Sequence, residues 1–173
     1  MIAENIIDMD FNNIIFCDPI KNSIIQHSFF YKLIYSNNFL SLNGVFALFN
    51  LRNIKINRDK IYFDYNNKET IDKIINLEYQ ILKLLNTNKN KVYKIKEILE
   101  NNCFKFSNND IVIDEINYAK NLNTNVKENN SFFIVKISGI WETKENYGVT
   151  FKFILINKFI DFYPSVEKNA NKI

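Results

Sequence analysis

Glycine, proline, cysteine and histidine are close to absent from this 173-residue chain, with 3 Gly, 2 Pro, 2 Cys and a single His. So few glycines leave no GxxxxGK[ST] loop and no GxGxxG turn, and with them go the backbone cradles that hold nucleotide phosphates. Cys17 and Cys103 have no CxxC spacing, and with one histidine they do not make a zinc set. Both read as reduced apolar thiols, and His27 as an ordinary strand-edge residue. No apolar run approaches the roughly 18 residues that would span a bilayer. The N-terminal MIAENIIDMDF carries acids where a leader would carry a basic region. The expectation is an intracellular protein that is not secreted and meets no membrane. Asp114-Glu115 and Glu142 with Glu145 have no supporting constellation and read as solvated carboxylates. The chain is therefore expected to be no enzyme, with no cofactor, no metal and no small-molecule substrate.

What is present fills a core. Apolar residues make up 47% and charged residues 24%, with 16 Phe, 9 Tyr and 1 Trp. Aromatic side chains bury large areas that offset conformational entropy. The length suits one domain: an N-terminal arm or short strand over 1–26, a core over 27–158 and a polar tail over 159–173. The abundance of Asn, Ile and Lys is the bias of an AT-rich coding sequence, so Asn carries no functional weight. A net charge of +3 and a pI near 8.7 permit a polyanionic partner without demanding one.

Asn12–Cys17 is a short apolar run stopped by Asp18-Pro19 and reads as a strand. HSFFYKLIYS, residues 27–36, reads as another, with Phe29, Tyr31, Leu33 and Tyr35 on one face and Phe30, Lys32, Ile34 and Ser36 on the other. A loop carrying Phe39 closes on Asn43-Gly44, which suits a reversal. Residues 45–57 then read as one strand, Arg58-Asp59 as a two-residue turn and 60–65 as a third strand, giving three consecutive antiparallel strands. From Lys68 to Asn86 the period becomes helical, with Ile71, Ile74, Ile75, Ile81, Leu82 and Leu85 inward, and Val92–Asn101 reads as a second helix. CFKF and IVIDEI over 103–116 look like a hairpin or a sheet extension, and 117–130 like a flexible loop. Ser131–Lys158 reads as a hairpin around a polar loop, with Gly139 marking a bulge or bend and Gly148 the loop exit.

The order β-β-β-α-β-β is that of the OB-fold, a five-stranded barrel, and a β-rich α+β sheet layered with helices gives nearly the same string. The blocks FFIVKISGIWETKENYGVTFKFI and FFYKLIYSNNFLSLNGVFALFNL resemble small proteins of large DNA viruses that look like relatives of the T7-type single-stranded-DNA-binding proteins. The resemblance implies an OB-fold that coats single-stranded DNA during replication. It stops at the C-terminus, where SVEKNANKI replaces the acidic, aromatic-ended tail of that group.

An OB-fold binds strands across one sheet face and its flanking loops. Here that gives Lys32, Phe46, Arg52, Lys60, Tyr62, Lys136 and Lys152, bordered by Phe39 in one loop and by Trp141, Lys144 and Tyr147 in another. Cations would meet phosphates and aromatics would stack on bases. The competing reading keeps the same aromatics as a subunit interface of a protein–protein or virion scaffold module, a homo-oligomer being one form of it, with the lysines as solvated edges. Trp141, Lys144 and Tyr147 either flank a nucleic-acid groove or pin the hairpin to the core.

Overall fold

The computed structural model describes residues 3–22, 26–107 and 130–156. Along them run β1 (Glu4–Asn5), β2 (Ile14–Phe16), β3 (Ile20–Lys21), β4 (Phe29–Ser36), β5 (Ser41–Leu42), β6 (Val45–Arg52), β7 (Lys55–Asn57) and β8 (Lys60–Tyr62). They are followed by α1 (Lys68–Leu84), β9 (Asn90–Val92), α2 (Lys94–Leu99), β10 (Cys103–Ser107), β11 (Asn130–Glu142) and β12 (Asn146–Ile156). The protein is β-rich α+β. IVIDEI, the 117–129 stretch and the 159–173 tail lie outside the described residues.

β11 is the strand the others join. One of its edges pairs with β12 from Phe132↔Ile156 to Glu142↔Tyr147, as the alternation of apolar residues requires. Its other edge is shared: residues 130–137 pair with β6 and residues 139–142 pair with β4. The register shift between Ile137 and Gly139 separates the two segments, so the expected bulge is present. A bulge bends its strand, which lets a single β11 face two neighbours in succession. Among the described residues the sheet runs β1-β6-β11-β12-β10-β8-β7 and is not closed into a barrel.

This overturns the three-strand meander. β4 and β6 each pair with β11 and not with one another, and β8 pairs with β7 and β10. The stretch 45–57 is also not one strand, because Asn53 takes φ 52° and breaks it. β7 leaves there to form a hairpin with β8 around the expected Arg58-Asp59 turn, with Arg58 at φ 55°. Gly44, at φ 114°, makes the turn into β6, a conformation glycine adopts without strain.

Alternation sorts the core. Phe49, Phe133 and Phe153 point to the inner face of their strands, and Phe104 of β10 joins them with ring centroids 4.3 Å from Phe153 and 5.5 Å from Phe133. The helices cover this face. α1 buries Ile71, Ile74, Leu77, Ile81 and Leu82, while Ile75 and Leu85 are half-buried at the stripe's margin. Its start is tied to the end of β6 by buried Asn67, whose amide oxygen accepts from the Arg52 N–H (2.8 Å) and whose amide nitrogen donates to the Arg52 carbonyl (3.0 Å). α2 buries Ile95 and Leu99.

Glu78, fully buried on α1, accepts hydrogen bonds from the Ile95 and Lys96 backbone N–H groups at the start of α2, each 2.9 Å. Unpaired N–H groups at a helix start need such an acceptor. Desolvation pushes the Glu78 carboxyl above its ordinary range, outweighing those N–H donors and nearby Lys96. A folded-state value above the unfolded one gives stability that is complete below the unfolded pKa and lost as pH rises through the folded one. Glu78→Gln should remove that loss, so the variant gains relative to the parent as pH climbs. Thermal denaturation of both proteins from about pH 4 to about pH 8 checks it; a constant offset would show that Glu78 does not titrate differently on folding.

Candidate functional site

Directly opposed residues in a ladder share a face, so the registers fix what stands on the outer side of the sheet, away from α1 and α2. Lys136 is opposite Phe46 on one side and Lys152 on the other. Phe106 pairs with Phe153, and one residue earlier β10 and β12 part, with Lys105 and Lys152 on the same face of their strands. Lys105 is in turn opposite Lys60. A transverse row Lys60, Lys105, Lys152, Lys136, Phe46 therefore crosses β8, β10, β12, β11 and β6. At about 4.8 Å between paired strands, the Lys60–Lys105 step spans roughly 5 Å and the Lys152–Lys136–Phe46 steps roughly 10 Å, with the parting of β10 from β12 between them.

Like charges directly opposed destabilise a sheet, and this row contains two such pairs, Lys60 with Lys105 and Lys136 with Lys152. Partial compensation is visible at the flanks. The Lys136 ammonium lies 4.9 Å from the Phe46 ring centroid, and Lys105 is 3.4 Å from the Asp59 carboxylate. Among the described residues no Asp or Glu stands on the outer face of β4, β6, β8, β10, β11 or β12. The carboxylates of the sheet are inward: Glu4 is level with Ala47, and Glu142 with Tyr147.

Next to the row the surface changes character. Lys32 is level with Gly139, and one further step brings Trp141 between Phe30 and Gly148. A Cβ at Gly148 would meet the Trp141 ring at 2.8 Å, and one at Gly139 would meet the Phe30 ring at 2.4 Å. Both rings thus lean across a glycine on the sheet face and are only partly buried. Gly148 is accordingly not a loop exit but a position inside β12 where the indole needs the space.

Of the residues expected to form the site, Lys60, Lys136, Lys152 and Phe46 are brought into the row, with Tyr62 beside it on β8 (40% exposed) and Lys32 and Trp141 on the same face. Arg52 shares the outer parity of β6 but lies at its far end. Lys144 is exposed in the β11–β12 turn, and Phe39 is 94% exposed in the β4–β5 turn, away from the β4 segment that meets β11. Tyr147 is a correction: it is fully buried, on the inner face, and its hydroxyl donates to the Leu82 carbonyl of α1 at 3.3 Å. It pins the hairpin to the helix. Lys105 and Phe30 were missed, although alternation in CFKF and in FFYK already separates them from their inward neighbours.

Glu142 closes the inner end of β11. It accepts from the Tyr31 hydroxyl (2.7 Å), pairs with Lys89 (2.9 Å) and lies 3.5 Å from the Thr87 hydroxyl. Desolvation alone would raise its pKa, but these donors together hold it below the ordinary range. The same hydrogen bond, with burial and the carboxylate's charge, leaves Tyr31 pushed up to about 12. Among the described residues these contacts tie β4 and the 87–89 segment to the end of β11.

At the point where β10 leaves β12, an open cleft of about 660 Å³ is lined by Lys60, Lys105 and Lys152, by Phe104, Phe106, Phe151 and Phe153, by Cys103, and by Ile98 and Asn101 from the end of α2. Among the described residues no group of three or more His, Cys, Asp or Glu could hold a metal ion, and no helix is long and apolar enough to cross a membrane. No protein-family model matches the chain, and neither the curated proteins nor the solved structures contain a match.

Proposed function

We propose that the outer face of the sheet binds single-stranded nucleic acid without catalysis, DNA in a replication or repair setting. The observation that carries this reading is the lysine row Lys60–Lys105–Lys152–Lys136 on a face free of carboxylates among the described strands. Cations in line across a sheet give a sugar-phosphate chain a succession of phosphate contacts, each of which releases a counterion. Phe46, Tyr62, Phe30 and Trp141 add partly exposed rings on the same side, which suits base stacking with little sequence preference. The OB-fold expectation enters only through this mode of binding, a strand laid across the face of an antiparallel sheet; the β4–β6 pairing of an OB meander is no part of the reading.

Titration of a labelled oligo-dT, followed by anisotropy and by Trp141 fluorescence, tests it. With four phosphates neutralised, the expected slope of log K against log salt is about −2.8, or a loss of about 50-fold between roughly 50 and 200 mM salt. Absence of binding at about 50 mM salt would sink the proposal. A protein–protein module remains the second reading, favoured by the exposure of Ile7, Ile15, Ile20 and Phe39. Concentration-dependent self-association with no response to oligo-dT is its signature.

A further inference from the structure

The lysine row is interrupted where β10 and β12 separate, and the gap is the cleft. Two lysines, Lys60 and Lys105, stand on one side of the opening and Lys152 on the other. The walls are aromatic: Phe104 and Phe153 are buried, with centroids 4.3 Å apart, and Phe151 meets Phe153 edge-on at 5.6 Å while remaining partly exposed. A volume of about 660 Å³ falls inside the roughly 300–1,000 Å³ range of small-ligand sites. An apolar, aromatic slot with cations at its edges matches a ligand that carries a flat ring on an anionic backbone.

We infer that the cleft takes one base of a bound strand out of its stack and holds it against Phe151, with the neighbouring phosphates on Lys105 and Lys152. This rests on the proposed binding of a strand along the lysine row. Unstacking costs little in a strand that has no duplex partner. The row alone would grip a sugar-phosphate chain of any kind; the cleft makes the grip depend on bases.

Cys103 lines the cleft and is partly exposed, so its thiol reports on occupancy. In a Cys17→Ser background it is the sole cysteine. Its rate of reaction with N-ethylmaleimide is measured free, with saturating oligo-dT, and with a saturating abasic deoxyribose-phosphate oligomer of equal length, binding of each being followed separately by anisotropy. Oligo-dT should slow the reaction roughly tenfold or more, while the abasic chain binds in a salt-dependent way and leaves the rate near that of the free protein. Equal protection by both would mean that a backbone lies over the opening with no base inside, overturning the inference and leaving the lysine row intact. Binding of oligo-dT without protection overturns it as well. If neither oligomer binds, the lysine-row reading fails and the cleft inference fails with it.

Discussion

Replacing Lys136 and Lys152 together by Gln should weaken oligo-dT binding by about two orders of magnitude at roughly 50 mM salt and make the salt slope shallower by about 1.4. The two ammonium groups are opposed on adjacent strands at the centre of the row, so a strand that follows the row cannot avoid them. Removing two phosphate contacts takes away two released counterions at about 0.7 each for a single strand. Gln keeps the length and aliphatic stem of each side chain, so binding is compared with the parent well below both melting temperatures. A loss of binding without a matching loss of stability separates the proposal from a structural role. A variant that binds as tightly as the parent with an unchanged slope would show that the strand does not run along this row, and one that lost binding only in step with its melting temperature would place both lysines in the fold.

Gly139→Ala should destabilise the protein by about 3 kcal/mol, at the upper end of overpacking effects. The added Cβ would lie 2.3 Å from the Tyr31 carbonyl oxygen and 2.4 Å from the Phe30 ring. The ring can swing away, but the carbonyl belongs to β4, which is paired with β11 at this point. Relief therefore requires β4 to move off β11. For a domain of this size, about 3 kcal/mol corresponds to a fall of roughly 6–12 °C in melting temperature. Differential scanning calorimetry reads it directly; a loss under about 1 kcal/mol would mean that β4 yields without cost. Because Phe30 and Lys32 move with β4, oligo-dT affinity measured well below the new melting point should also drop, by a smaller factor than in the lysine variant.

The elements that depend on local pattern were legible in the chain. Lys68–Leu84 carries no Gly or Pro and repeats its isoleucines and leucines at helical spacing, and it is α1. Phe133, Val135 and Ile137 alternate with Phe132, Ile134 and Lys136, and the two sets fall on opposite faces of β11, although Ile134 is buried too. What alternation cannot convey is which strand lies alongside. It puts Val45, Ala47, Phe49 and Leu51 on one face of β6, where all are buried, but it does not tell that β6 lies beside β11 and not beside β4. Asn53 turns the chain with a positive φ, but in a sequence rich in Asn that residue type marks no position in particular. Tyr147 was misplaced for a different reason: the parity of Val149, Phe151 and Phe153, continued two residues back, already puts it inward, and the polar run from Thr143 to Asn146 made the loop look longer than it is. The row of the candidate site was half visible. Lys136 opposite Lys152 follows from the hairpin alone, whereas Lys60 and Lys105 reach the row only through the non-local junction of β10 with β12.

The shared edge of β11 also sets an order of events during synthesis. β4 and β6 leave the ribosome well ahead of the strand that both must join, and β6 is separated from it by about 80 residues, a delay on the order of 4–16 s at roughly 5–20 residues per second. Until then VFALF of β6 has an open ladder edge facing an unfinished chain. A nascent chain stalled before residue 130 should accordingly be held by chaperones or aggregate, and one released after residue 156 should fold at a rate limited by closing that long-range pairing.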